Sequence, residues 1–192
     1  TRRVLVPMAA AWPGPVVMVS TKPDLARLVG QARPTDGGDR WLWDPASSAD
    51  LPADWVRAAW SPLDQITDPD DATLAASWLT RAAGLAATGS GGGMEGFWAG
   101  QASTIIAPVL AAVALDGGTM GQVLRKVGDP DGWAAVADRL LAAGPAWGDL
   151  AAAITQEAAA AASEGGRRVD SAVGTARETL RAFGLQMIEK GS

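Results

Sequence analysis

The run from Ala102 to Leu115, ASTIIAPVLAAVAL, carries no charge between Gln101 and Asp116 and is apolar on every side of a helix. A helix without a polar face has to be enclosed by other elements. The run is also shorter than the ~20 residues a bilayer span needs. It therefore reads as a buried core helix, and the segments around it must supply amphipathic partners.

Those partners are legible on both sides. Asp68-Pro69-Asp70-Asp71 offers a capping carboxylate, a proline in the first turn and two acids facing the positive end of the helix dipole, so a helix is expected from here to about Ala87. Asp129-Pro130-Asp131 repeats the device ahead of Trp133, Val136, Ala137, Leu140 and Leu141, whose spacing puts them on one face. Phe97 to Leu115 reads as a long helix interrupted by Pro108, and Gly121 to Val127 as a short amphipathic one. Pro145 to Ser163 is an Ala-dominated helix with Trp147, Leu150 and Ile154 as its bulky stripe, ended by Gly165-Gly166. A last helix, from about Asp170 to Glu189, presents Val173, Leu180, Phe183 and Met187. Ala-rich faces let helix axes approach closely, with tryptophans filling the remaining space. Residues 61–192 are thus expected to form an all-α domain of five or six helices.

Residues 1–60 follow a different pattern. Val4 to Trp12 is helix-compatible, Pro13-Gly14-Pro15 interrupts it, and Val16-Val17-Met18-Val19 has the composition of a strand buried on both faces. Pro23 and Asp24 open a short helix to about Val29, and Arg40-Trp41-Leu42-Trp43 reads as a second strand closed by Asp44-Pro45. Helix, strand, helix, strand is a parallel α/β crossover pattern. In such a sheet ligands bind beyond the carboxyl ends of the strands, which draws attention to Ser20-Thr21-Lys22-Pro23-Asp24.

Composition restricts the chemistry. The chain has no His, Cys or Tyr, which removes imidazole bases, thiolate nucleophiles, Cys/His zinc sites and disulfides. What remains suits Mg²⁺ and phosphate chemistry or no chemistry. A net charge of −5 argues against holding duplex DNA over a long surface, and the basic pairs Arg2-Arg3, Arg125-Lys126 and Arg167-Arg168 are short and separated in sequence. Gly89 to Gly96 is glycine-rich but ends in Met-Glu-Gly-Phe instead of Gly-Lys-Ser/Thr, so it reads as a connector between helices. Asp68, Asp70 and Asp71, like Asp129 and Asp131, read as helix-start charges, and no metal site is expected.

Thr-Arg-Arg-Val-Leu-Val-Pro at 1–7, Trp-Pro-Gly-Pro-Val-Val-Met-Val-Ser-Thr-Lys-Pro-Asp at 12–24, Trp-Asp-Pro at 43–45, Trp-Ser-Pro-Leu at 60–63 and Phe-Trp-Ala at 97–99 occur in an order and spacing that resemble the TraG/TraD-type coupling proteins of type IV secretion and conjugation, in their actinobacterial form. The resemblance implies a RecA/FtsK-like P-loop NTPase edge over residues 1–60, followed by an all-α insertion domain associated with substrate selection. It places Thr1 at the last hydroxyl position of the Walker A loop, and Lys22 and Asp24 at the family's Lys and acid after the next strand. These three residues are the candidate nucleotide-edge positions, with no catalytic residue expected. The family's membrane helices and the strand carrying Walker B have no counterpart in these residues, so no transmembrane segment is expected here.

The implied parent is a hexameric, ATP- and Mg²⁺-dependent motor that recruits a relaxosome or secreted protein and passes it to secretion-channel components. It would work as the cytoplasmic part of a complex at the plasma or inner membrane. This chain, lacking the Walker A lysine and Walker B acid, is expected to hold no nucleotide tightly, to be inactive alone and to bind DNA weakly at most. The alternatives are a stand-alone α-helical interaction module without motor activity and, more remotely, a carboxylate-dependent Mg²⁺ enzyme.

Overall fold

The chain's structure, a computed structural model, describes residues 2–20, 22, 24–33, 38–44, 55–83, 94–163 and 166–184. It is mainly helical and divides into two compact units, Thr1–Trp60 and Ser61–Lys190.

In the second unit the cap signals set the helix starts. Ser61 caps a 3-10 turn over Pro62–Gln65, and Asp68 caps α3 (Pro69–Ala82), its Oδ1 accepting the Asp71 amide at 2.9 Å. Asp71 closes the box by accepting from the Asp68 amide, and also takes the Thr67 amide at 3.0 Å and hydroxyl at 2.8 Å. Hydrogen bonds to the ionised form hold the Asp71 carboxyl below its ordinary range, the Thr67 amide contributing most.

The central helix α4 spans Met94–Leu115 and buries Ala102, Ile105, Ile106, Val109, Leu110 and Val113, among others. Around it pack α3, α5 (Met120–Val127), α6 (Trp133–Ala143), α7 (Gly148–Ala161) and α8 (Gly166–Leu180). The expected interruption at Pro108 does not occur: α4 continues through it. Proline removes the donor to the Thr104 carbonyl, and Thr104 sits on the exposed side of the helix, where water can take that bond. The Phe97–Leu115 stretch, at mean hydropathy 1.5, is long and apolar enough to cross a membrane, longer than its most apolar run suggested; 61% of it is buried inside the unit.

Leaving α4, Gly117 adopts φ +61 and the chain closes a Schellman turn, with Gly118 N–H donating to the Val113 carbonyl and Gly117 N–H to that of Ala114, both at 2.9 Å. Thr119 then caps α5 in a box with Gln122. The device expected at Asp129-Pro130-Asp131 takes another form. Pro130–Gly132 is a 3-10 turn, Asp129 makes no side-chain cap, and α6 begins only at Trp133. The indole is the reason: Trp133, fully buried, donates to the Lys126 carbonyl at the end of α5 and fixes the start of α6 against it.

The Ala-rich helix begins with a 3-10 turn at Pro145–Trp147 and becomes α7, with Trp147 and Ile154 buried and Leu150 partly so. Of the two glycines expected to end it, Gly166 is already the first residue of α8 and Gly165 lies outside the described residues. That helix starts earlier than expected and gives way to a 3-10 turn at Arg181–Gly184. Val173, Leu180 and Phe183 pack on the core, while Met187 lies outside the described residues.

The first unit has α1 (Arg2–Ala11), α2 (Asp24–Ala32) and a parallel pair, β1 (Trp41–Leu42) with β2 (Val56–Arg57), in register Trp41 to Val56 and Leu42 to Arg57. Two arginines terminate its helices. Arg33 donates to the Ala9 and Gly14 carbonyls, each at 2.7 Å, and Arg40 to those of Gly30 and Arg33. The Trp55 ring lies so close to Gly30 that a Cβ there would come within 2.9 Å of it.

The expected strand at Val16–Val19 is a correction. The segment forms no ladder, and Val17 and Val19 are 92% and 93% exposed. Its β-branched composition favours a half-buried pleated surface, but that preference is realised only against a neighbouring strand. Among the described residues of this unit only Ala9 and Val29 are buried apolar side chains.

Candidate functional site

Lys22 and Asp24 lie on the turn leading into α2. The Ser20 hydroxyl closes that turn, 3.0 Å from both the amide and the carbonyl of Lys22. Lys22 is exposed, and Asp24 is half-buried at the first position of α2, where its carboxylate faces the helix dipole favourably. Thr1, Thr21 and Pro23 lie outside the described residues, as do Gly89 to Gly93; Met94, Glu95 and Gly96 begin α4. The structure therefore sets Lys22 and Asp24 on one turn and leaves their relation to Thr1 undescribed.

Beside this turn runs an open groove of ≈ 520 Å³, formed by α1, the 15–19 segment and the start of α2, with Leu5, Met8, Trp12, Val16, Met18 and Leu25 among its walls. Every lining side chain is apolar. No lining side chain carries a charge that would hold a phosphate or a metal ion. What the groove suits is apolar surface. With exposed Trp12, Trp41, Trp43, Trp60, Val4, Met8, Val17 and Val19, the first unit presents far more apolar side chain than it encloses.

In the Ala-rich bundle the tryptophans are expected as packing anchors, Trp133 and Trp147 above all. In the second unit Trp133 and Trp147 are buried, and Trp98 meets Phe97 edge to face at 5.1 Å. Trp78, 56% exposed, departs from that expectation; in the first unit Trp12, Trp41, Trp43 and Trp60 are exposed as well. A buried indole needs either a thick core or a polar partner for its N–H; the first unit lacks the former, and the partly buried Trp55 has its Nε1 enclosed without a partner.

One polar constellation escapes sequence reasoning. Glu157 on α7, almost fully buried, takes Arg168 of α8 in a two-pronged contact, at 2.9 Å and 3.4 Å, and Arg168 also donates to Gln101 of α4. The three side chains clamp three helices together. Glu157 stands in an Ala-rich run that reads as uniform surface, and nothing in its spacing points to α4. Among the described residues no group of three or more carboxylates is placed to hold a metal ion.

No protein-family model, no curated protein and no solved structure matches the chain.

Proposed function

We propose that this chain is a portion of a conjugative or type IV secretion coupling ATPase, contributing mainly the helical substrate-recognition domain together with an edge of the P-loop NTPase fold. The observation that carries the reading is the state of residues 1–60. A two-stranded parallel pair is not self-sufficient, since parallel sheets are found covered on both faces. Here it accompanies a Val16–Val19 segment without a ladder and a set of exposed tryptophans. These features support reading residues 1–60 as a piece of a larger sheet, which is what the motif order at 1–7, 12–24 and 43–45 implies.

In this reading ATP and Mg²⁺ act in the complete motor, with Thr1, Lys22 and Asp24 near the nucleotide, and the helical unit faces the relaxosome or secreted substrate. Hexamer and channel contacts belong to the complete motor, at the membrane. The coding sequence directly ahead of Thr1 tests it: Gly-x-Gly-Lys is expected there, and a start codon in its place would overturn it.

A second reading, a stand-alone α-helical interaction module, is favoured by one feature. Residues 61–190 enclose a core built from their own helices. Under that reading, deleting residues 1–60 from the natural protein leaves partner binding intact.

A further inference from the structure

We propose that the carboxyl end of α5 and the adjoining side of α8 form a docking surface for a short acidic peptide segment. The helix α5 buries Met120, Val123 and Val127 and turns Arg125 and Lys126 outward in its last turn. The helix α8 buries Val169, Ala172, Ala176 and Leu180 and leaves Arg177 exposed. The two helices pack together, and Arg177 reaches back across the end of α5: its Cδ and Nε lie 3.5 Å from where a Cβ on Gly128 would stand, a point 3.6 Å from the Arg125 carbonyl oxygen. Arg177, about fifty residues further along the chain, thus stands at the end of the helix whose last turn carries Arg125 and Lys126.

Arg139, Arg168 and Arg181 each hold a carboxylate, those of Asp116, Glu157 and Glu178. Among the described residues Arg125, Lys126 and Arg177 hold none. The nearest acids in sequence are accounted for: Glu178 is held by Arg181, and Asp129 is directed toward Gly132. Three cations without an acidic partner at one helix end are offset only by the negative end of the α5 dipole. A ligand carrying two or three carboxylates would complete the balance.

The same charges select the partner class. A nucleic acid backbone needs a continuous basic stripe, and a chain of net charge −5 repels a long polyanion beyond the patch. A short acidic segment senses only charges within about 8 Å at physiological ionic strength, so it reads the end of α5, the three cations with Asp129 and Glu178 beside them, and not the net charge of the chain.

The test titrates the full chain into a fluorescein-labelled, glutamate-rich peptide, and separately into a labelled mixed-sequence single-stranded DNA, following anisotropy at about 50 and about 150 mM salt. Saturable peptide binding that weakens with salt and exceeds DNA binding is expected. The variant R125Q/K126Q/R177Q should weaken it about tenfold or more and R177Q alone about threefold, as loss of close charge pairs does. The control R81Q/R167Q, also at exposed arginines, should leave it unchanged. Absence of saturable binding at the lower salt, equal loss in the control, unchanged affinity in R177Q, or tighter binding of the DNA would each overturn the proposal. If the triple variant fails to fold, R177Q and the control decide the matter.

Discussion

The indole Nε1–H of Trp133, at the start of α6, donates to the backbone carbonyl of Lys126 in the last turn of α5 at 2.9 Å, with the ring wholly buried. One side chain thereby satisfies an orphan helix-end carbonyl and anchors the neighbouring helix. Trp133→Phe keeps most of the ring and loses the hydrogen bond, which is expected to cost about 1 kcal/mol plus a small packing term. Trp133→Ala also opens a cavity and should cost about 3–5 kcal/mol. Urea midpoints of the two variants check the order; a Trp133→Phe variant as stable as the parent would show that the bond contributes nothing.

The Glu157–Arg168–Gln101 clamp makes a second expectation. Glu157→Ala leaves the guanidinium with a neutral partner only. Because the Arg168 side chain keeps 39% of its exposure, water softens the loss to about 2 kcal/mol, below the value for a fully buried pair. Replacing both residues by apolar ones, Glu157→Leu with Arg168→Met, should recover at least half of that. A double-mutant cycle by thermal unfolding measures it, and additive losses would contradict the clamp.

Two adjacent glycines should behave differently. Gly117 needs its left-handed φ, so Gly117→Ala is expected to cost about 1 kcal/mol. At Gly118 a Cβ would fall 2.6 Å from Val113 Cγ1 and collide with the Gln122 carboxamide, which holds the α5 capping box. Gly118→Ala should therefore cost more, about 2–3 kcal/mol. Reversal of that order in denaturation experiments would refute the assigned turn.

What was legible in the sequence had local causes. The start of α3 follows from Asp68-Pro69 alone, and the burial of Ile105, Ile106 and Leu110 from a run with no polar face. Asp129-Pro130 looks like the same start, but a long-range contact, Trp133 to Lys126, decides where α6 begins. Likewise Val16–Val19 has strand composition, and no residue in it states whether partner strands stand alongside. Asp24 was legible as the head of a helix, but Lys22, read as the exit of a strand, lies on a turn with no strand before it; the Arg177–Gly128 approach and the Glu157–Arg168 pair, made between elements, were not legible.

Asp71 supplies a pH expectation. Its folded carboxyl titrates below the ordinary value, because the Thr67 amide and hydroxyl and the Asp68 amide bond its ionised form. A depressed folded value gives stability that is fully present above the unfolded carboxylate range and is lost as pH falls toward the folded one. Asp71→Asn should therefore melt below the parent at neutral pH, with the gap narrowing on acidification through that range. A gap independent of pH would exclude the linkage.

The exposed Val17 and Val19 separate a bare sheet edge from a finished core. Replacing both by lysine in this chain should change its stability by no more than about 0.5 kcal/mol per site, since neither side chain is enclosed. Buried strand valines would instead cost several-fold more, through desolvated ammonium groups. Under the proposed coupling-ATPase reading, a longer protein supplies the neighbouring strands, and there the same pair should prevent folding or assembly of the nucleotide-binding domain, because those side chains would face its covering helices. Thermal unfolding of this chain, beside ATP turnover of the longer protein carrying the two lysines, measures both arms. Little change in the first with loss of turnover in the second is expected. Tolerance in both would mean that Val16–Val19 is a surface strap, and would remove the main structural support for the coupling-ATPase reading.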